Sequence, residues 1–163
     1  MGIQLVVILK LLLLLTLANG APVLAKDILG NRFAWPLDDG IAFLGRPLFG
    51  KSKTVRGIVL AIVATSAFAP IVGLGWQIGF RVGSMAMAGD LFSSFLKRRM
   101  NLRAGSRATG LDQVPESLFP LLVCRNALAL TAVDIVAGVM FFFVGEVLLS
   151  LIVYRLGLRD RPY

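Results

Sequence analysis

The residues best suited to chemistry lie in segment 89–99, where an apolar stretch that carries a single acid ends in three basic residues. If this segment is helical, four polar side chains share one face: Asp90, Ser94, Lys97 and Arg98. A second pair of acids, Asp112 and Glu116, follows after a short loop. Because carboxylates can hold a metal ion and cations can hold phosphates, this pattern predicts chemistry on a phosphorylated substrate.

The composition narrows the kind of metal site. The chain contains no histidine and a single cysteine, Cys124, so neither a Ser-His-Asp triad nor a Cys/His zinc site can form. Oxygen ligands remain, and they favour magnesium, with manganese as the alternative.

A second cationic segment lies at 45–57. Residues 45–52 match the P-loop pattern letter by letter, but that motif needs a preceding buried strand and a following crossover helix, whereas an apolar span follows Arg56. We therefore reject a P-loop. Five residues just before the span could still cradle a phosphate: Lys51, Ser52, Lys53, Thr54 and Arg56. Anchoring at the membrane surface by snorkelling lysines is an equally good interpretation.

The acidic residues each have two interpretations. Asp38 precedes another aspartate and a glycine, which suits a turn better than a metal site. Asp112 and Glu116 could cap the start of a helix, or they could face the cations together with Asp90. Asp90 itself lies in an apolar segment, where an acid is costly unless it is paired or bound to a metal, so function is its default interpretation.

The elements that must position these residues are membrane helices. The 163 residues are 57% hydrophobic and their mean hydropathy is +0.82, too apolar for an ordinary soluble domain. We expect an all-α polytopic integral membrane protein, with one domain over 1–163 and about five spans. The expected spans are 3–19, 57–75, 77–96, 117–133 and 135–154. The formal net charge of +8 suits anionic lipid head groups or phosphate substrates.

Basic residues concentrate in two polar stretches, at about 20–56 and 97–116, and in the C-terminal tail. With five spans, all three regions fall on one side of the membrane, which the positive-inside rule makes cytoplasmic. We therefore predict an external N-terminus, a cytoplasmic C-terminus and an active site that faces the cytoplasm, in the cell membrane. A cleavable signal peptide is disfavoured because a basic leader is missing and Lys10 interrupts the apolar run.

Two patterns concern helix packing. Gly75, Gly79 and Gly83 repeat every four residues, which is typical of closely packed membrane helices. Arg125 and Glu146 are each about two turns from the cytoplasmic end of their spans, so we predict an intramembrane ion pair between them. The single lysine of the first span is a competing partner for the glutamate.

Several of these segments resemble the CDP-archaeol synthase family, which belongs with the phosphatidate cytidylyltransferases. The specific parts are the run Lys53-Thr54-Val55-Arg56-Gly57 and segment 89–99, and the resemblance extends over essentially the whole chain through 18–22, 36–38, 45–57, 111–113 and 159–163. The resemblance implies a membrane-embedded protein of five helices that transfers CMP from CTP to a lipid phosphate with magnesium, giving a CDP-lipid and pyrophosphate.

The resemblance also implies residue roles. Asp90 and Asp112 would bind magnesium, with Glu116 and, more weakly, Asp38 as further ligands. The cations that would hold phosphates are Lys53, Arg56, Lys97 and Arg98, and Asn19 and Ser94 would position groups nearby. Glu116 is a departure, because the family more often has an aspartate one residue earlier. If Glu116 does not reach the metal, either the activity or the lipid preference has changed.

The predicted function is therefore a CTP-dependent cytidylyltransferase of phospholipid biosynthesis, acting on phosphatidic acid or on an isoprenoid glycerol phosphate. The alternative is a non-catalytic lipid-binding or assembly protein on the same scaffold, which only the Glu116 departure supports. A small transporter is disfavoured because the polar residues crowd one face. The expected partners are CTP and a membrane lipid phosphate, without nucleic acid, and a homo-oligomer is left open.

Overall fold

The computed structural model describes residues 3–102, 106 and 108–155, apart from the side chains of Val153 and Tyr154. Within these residues the chain is mostly helical, as expected, with one short hairpin: α1 (Leu5–Leu29), β1 (Ala42–Phe43), β2 (Arg46–Pro47), α2 (Val55–Phe68), α3 (Trp76–Arg99), α4 (Gln113–Cys124) and α5 (Ala132–Arg155). The two strands pair antiparallel, with Ala42 opposite Pro47. The tail segment 159–163 that carries part of the resemblance lies outside the described residues.

Helix α3 lies at the centre of the bundle and contacts α1, α2 and α4. The apolar core is formed by side chains from all five helices and includes Leu11, Leu14, Leu15, Ala61, Val82, Ala86, Leu121 and Phe142. This core occupies the middle of the bundle, and polar residues of α1, α3, α4 and α5 lie together at one end of it.

Helix α1 continues well beyond the predicted end at residue 19, through Pro22 and on to Leu29. A proline inside a helix removes one hydrogen bond and costs about 3 kcal/mol in isolation. Here Pro22 packs against the start of α2, where a Cβ built on Gly57 would lie 3.2 Å from the Pro22 Cβ. Tertiary packing thus outweighs the local signal. The first polar loop begins near residue 30 rather than 20, and Asn19 lies inside a helix.

The predicted close packing at the glycine repeat is confirmed at two of its three positions, between α2 and α3. A Cβ on Gly79 would lie 2.3 Å from the carbonyl oxygen of Thr65, and one on Gly83 would lie 2.2 Å from its Oγ1. The hydroxyl of Thr65 donates to the carbonyl of Ala61 at 2.9 Å, so it is satisfied at this tight contact. Gly75 instead precedes α3 as its N-cap residue.

Two helices of the described part, α1 and α5, are long and apolar enough to cross a membrane, fewer than the five predicted spans. Helices α2 and α4 have only 14 and 12 residues, against about 20 for a straight span. Their apolar sequences continue into turns at 69–73 and 125–129 rather than into helix. The outward faces of α1 and α5 carry apolar side chains, such as Val6 at 66% and Val136 at 63% exposure. Such faces belong in lipid, and the chain is an integral membrane protein.

Candidate active site

A cavity of about 350 Å³ lies between the polar ends of α1, α3, α4 and α5 and the loop that precedes α2. Nine residues that the sequence singled out line it: Asn19, Ser52, Lys53, Asp90, Ser94, Lys97, Arg98, Asp112 and Glu116. The helical spacing of α3 thus brings four polar side chains into one cavity. The other lining residues are Val23, Phe49, Ser106, Thr109, Gln113, Glu146, Val147 and Ser150.

Lys53 and Asp90 form an ion pair on one wall of this cavity. The Lys53 Nζ lies 2.6 Å from Oδ1 and 2.5 Å from Oδ2 of Asp90. The backbone of Lys53 is fixed because its carbonyl accepts a hydrogen bond from Leu37 N at 2.8 Å, next to a bridge between Pro36 and Thr54. The loop before α2 is therefore held against α3 through both backbone and side chain.

A second ion pair, between Lys97 and Asp112, closes the loop between α3 and α4. The Lys97 Nζ lies 2.7 Å from Asp112 Oδ1 and donates to the carbonyl of Ser106 at 2.9 Å. The other oxygen of Asp112 accepts a hydrogen bond from Ala108 N at 3.0 Å. One lysine and one aspartate thus hold both ends of the loop beside the cavity.

Asn19 joins three helices at the same cavity. Its Nδ2 donates to Glu116 Oε2 on α4 at 3.0 Å and to Glu146 Oε1 on α5 at 3.3 Å. Glu116 can come this close to α3 because Gly89 has no side chain. A Cβ at Gly89 would lie 2.3 Å from the carbonyl oxygen of Pro115 and 2.7 Å from Glu116 N. The glycine therefore sets the distance between α3 and the first turn of α4.

The oxygen atoms in this region fit a hard divalent cation. Glu116 and Asp90 are neighbours, and Asn19 Oδ1 is buried without a hydrogen-bond partner. Among the described residues no group of three acidic, histidine or cysteine side chains is arranged as a metal site. The arrangement present is a pair of carboxylates with an amide oxygen, from three helices. Such ligands suit magnesium and manganese.

Three residues predicted to bind phosphate lie outside the cavity lining. Lys51 is exposed in the loop. Thr54 caps α2, since its Oγ1 accepts a hydrogen bond from Gly57 N at 3.2 Å. Arg56 donates to the carbonyl of Gly30 at 3.1 Å and also to that of Arg32, so it ties the end of α1 to α2. The contacts of Thr54 and Arg56 favour structural roles.

Asp38 serves the loop rather than the cavity. It is 3% exposed, and its Oδ2 accepts hydrogen bonds from Phe49 N at 3.1 Å and Gly50 N at 2.8 Å. Burial raises the pKa of Asp38. The backbone hydrogen bonds, of which that from Gly50 has the largest effect, lower the pKa by more than burial raises it, so the pKa is below its ordinary value. Of the two roles the sequence left open, these contacts favour the loop-closing one.

Arg99, the last of the three basic residues on α3, lies outside the cavity lining and binds the hairpin. Its guanidinium donates to the carbonyls of Phe43, Arg46 and Pro47 and lies over the rings of Phe43 and Phe95, 5.4 and 5.1 Å from their centroids. In the reverse direction, the Arg46 guanidinium donates to the carbonyls of Arg98 at 3.2 Å and Arg99 at 2.8 Å. These carbonyls belong to the end of α3, where no further helical turn follows to supply regular amide donors.

The predicted ion pair between Arg125 and Glu146 is wrong. Arg125 is exposed at the end of α4, whereas Glu146 lies in the cavity lining. Glu146 shares Asn19 with Glu116, so these two glutamates are at the same depth. Arg125 is nine residues further along α4, roughly 13 Å deeper at 1.5 Å per residue. The depth estimate from span ends failed because α5 extends beyond the start of α4.

Glu146 and its neighbour Ser150 line the cavity but were not predicted as cavity residues from the sequence. A signal was available, since the two are polar residues at i and i+4 in an otherwise apolar helix. Ser106 and Thr109 carried no such signal, because a loop brings them to the cavity, and Gln113 begins α4 directly after that loop. Loop placement depends on the Lys97–Asp112 pair, which spacing alone does not reveal.

Comparison with known proteins gives matches over nearly the whole chain. The family model described as "CarS-like: CDP-archaeol synthase" matches residues 64–163. The chain is 30% identical over 153 residues to the CDP-archaeol synthase of Sulfurisphaera tokodaii, covering 90% of this chain and 89% of that relative. It is 32% identical over 152 residues to the CDP-archaeol synthase of Pyrobaculum calidifontis, covering 90% of each.

The fold is similar as well. A solved structure described as "Structural insight into an intramembrane enzyme for archaeal membrane lipids biosynthesis" superposes with a TM-score of 0.74 at 28% identity. The superposition covers 86% of this chain and 90% of the other. Sequence and fold thus agree on the same group of membrane proteins.

Proposed function

The chain belongs to the CarS-like family of CDP-archaeol synthases, and we propose that it transfers CMP from CTP to the phosphate of an isoprenoid glycerol lipid. Family membership makes it a CTP-dependent lipid cytidylyltransferase. The relatives' name, CDP-archaeol synthase, supports an isoprenoid ether lipid as the acceptor. Phosphatidic acid, which carries the same phosphomonoester on different tails, is the alternative acceptor against which the isoprenoid lipid is compared.

In the proposed reaction an oxygen of the lipid phosphate attacks the α-phosphorus of CTP. The bond between the α-phosphorus and the oxygen that bridges to the β-phosphate breaks, and pyrophosphate leaves with that electron pair. The nucleophile is already an anion, so the protein needs no nucleophilic side chain. Its tasks are to bring two anionic substrates together and to neutralise charge as it moves to pyrophosphate.

The cavity residues suit these tasks. Lys53, Lys97 and Arg98 are positioned to pair with phosphate oxygens. Four carboxylates line the same cavity as these three cations, so the lining has a formal charge of −1. Such a lining accepts a triphosphate only with an accompanying cation. Asp90 and Glu116 with Asn19 Oδ1, and Asp112 nearby, would hold magnesium, which would offset phosphate charge and make the α-phosphorus more electrophilic.

One observation carries this proposal. Charged residues that are far apart in sequence, on α3, α4, α5 and two loops, meet with Asn19 of α1 at a single cavity beside apolar helices. The nine lining residues that the sequence singled out include most of those that the family resemblance implies. We further propose that this cavity faces the cytoplasm of a cell-membrane protein, since the basic loops surround it.

Pyrophosphate release by the purified protein in detergent–lipid micelles tests the proposal. CTP and magnesium are supplied with an unsaturated archaetidic acid, with phosphatidic acid, or with neither lipid. The proposal predicts release that depends on a lipid phosphate and is faster with the isoprenoid lipid. Equal rates with and without lipid would indicate CTP hydrolysis, and no release by a folded protein that binds CTP would contradict the transfer activity.

A further inference from the structure

A second cavity, of about 400 Å³, adjoins the first on the side of α1. The two cavities share the wall formed by Asn19, Val23, Ser52, Lys53, Asp90 and Glu116. The second is lined in addition by Pro22, Lys26, Asp27 and Met87. We propose that it binds the phosphate head group of the lipid substrate and that Lys26 is the cation that recognises it. This inference rests on the proposed cytidylyl transfer.

The lining residues that the two cavities do not share differ in chemistry. The residues found only in the first are mostly polar or charged, among them Lys97, Arg98 and Ser94, which suits a nucleoside triphosphate. Pro22 and Met87 line only the second, and together with Val23, which lines both cavities, they give it an apolar side. An apolar wall beside cations suits a phosphomonoester that is attached to hydrocarbon.

Lys26 differs from the other lysines at the site in its ion pairing. Lys53 and Lys97 each face an aspartate within 2.7 Å. The Lys26 ammonium makes no ion pair with any described residue, although Asp27 lines the same cavity. A cation that has no carboxylate partner can pair with a bound anion without first giving up an ion pair within the protein. Lys26 was not among the site residues that the sequence predicted.

The surface next to Lys26 suits the rest of a lipid. Val23, Leu24 and Ile28 on the same part of α1 are 55%, 58% and 79% exposed. They continue the outward apolar face of a helix that is long enough to cross a membrane. A lipid whose tails lie along this face would place its phosphate at the second cavity. Across the shared Lys53–Asp90 wall it would meet the triphosphate of CTP, as the transfer requires.

The test is steady-state kinetics of the Lys26→Ala variant, with the lipid phosphate and CTP varied separately in mixed micelles. Loss of a charge-assisted contact predicts a rise in KM for the lipid of about 10- to 100-fold, with KM for CTP unchanged. Lys26→Arg should recover most of the lipid affinity. Arg32→Ala, an exposed cation just beyond α1 that lines neither cavity, is the matched control and should behave as wild type.

The outcomes separate the two proposals. An inactive wild-type protein would contradict the proposed function itself. An active wild type with an unchanged lipid KM in Lys26→Ala would overturn the assignment of Lys26. Lys26 lies in the last turn of α1, where a cation also stabilises the helix. A lowered Tm with equal changes in both KM values would therefore assign it a structural role and overturn the inference as well.

Discussion

Lys53 and Asp90 form a two-oxygen ion pair, with the lysine Nζ 2.6 and 2.5 Å from the carboxylate oxygens. The pair joins the loop before α2 to α3 and lies in the wall that the two cavities share. Both side chains are about four-fifths buried, and a partly buried pair is stabilised more than an exposed one. The position of the loop is thus coupled to the helix that carries most of the candidate site.

Gly89 should be intolerant of even a methyl group. The Cβ of Gly89→Ala would lie 2.3 Å from a backbone oxygen of α4, so that helix must shift and move Glu116 away from Asp90. We expect a loss of stability of about 1–3 kcal/mol and a larger proportional loss of activity. Thermal unfolding and pyrophosphate release measure the two effects.

Gly145→Ala is the control for that experiment. A Cβ there meets nothing within 4 Å, and replacing a helical glycine by alanine should stabilise by about 0.5–1 kcal/mol. Wild-type stability and turnover in Gly89→Ala would contradict the argument that this glycine sets the distance between α3 and α4.

The reciprocal contacts of Arg46 and Arg99 predict non-additive effects. Each side chain binds backbone carbonyls of the other's segment, so either alanine variant releases the hairpin from the end of α3. Each should cost about 1–3 kcal/mol, and the double variant should cost clearly less than the sum. Additive losses in unfolding experiments on the two single variants and the double variant would show that the two arginines act independently.

Glu146 and Arg125 should respond differently to mutation. Glu146→Ala removes a carboxylate from the cavity and a partner of Asn19, so turnover should fall by about 10-fold or more. Arg125→Ala removes an exposed side chain outside the cavity, so activity should be retained. Equal losses of activity in both variants, recovered in a double variant in which the two residues are exchanged, would instead support the ion pair predicted from the sequence.

The lowered pKa of Asp38 predicts that the stability of the fold depends on pH. Because its pKa in the folded protein is lowered, its carboxylate stabilises the fold above its unfolded pKa of about 3.9. That stabilisation is lost as pH falls through the lower folded pKa. Asp38→Ala should therefore lower Tm at neutral pH, through loss of hydrogen bonds worth about 1.5–3 kcal/mol. The difference from wild type should shrink below about pH 4, and a constant difference would contradict this role.

Much of the site was predictable from local sequence, because helical periodicity is a local property. The spacing of Asp90, Ser94, Lys97 and Arg98 was enough to place them on one face, and all four line the cavity. The glycine repeat in α3 likewise predicted close packing. The family resemblance added Asn19, whose partners lie on two other helices.

The errors came from contacts between distant parts of the chain. The first span was expected to end at residue 19, yet the packing of Pro22 against α2 lets the helix continue to Leu29. Hydropathy predicted five spans but could not locate the turns that shorten α2 and α4. The loop-closing role of Asp38 depends on amide groups more than ten residues away. Such contacts are decided by tertiary structure, and spacing alone does not contain them.

The most direct test follows the α-phosphate of CTP. CTP labelled at the α-phosphorus is incubated with magnesium, the isoprenoid lipid phosphate and either the wild type or Asp90→Asn, and the label is then partitioned between lipid and water. The wild type should move the label into a CDP-lipid, and Asp90→Asn, at an equal folded concentration, should reduce this by about 100-fold or more. Label that stays in water as CMP, or wild-type transfer by Asp90→Asn, would contradict the account.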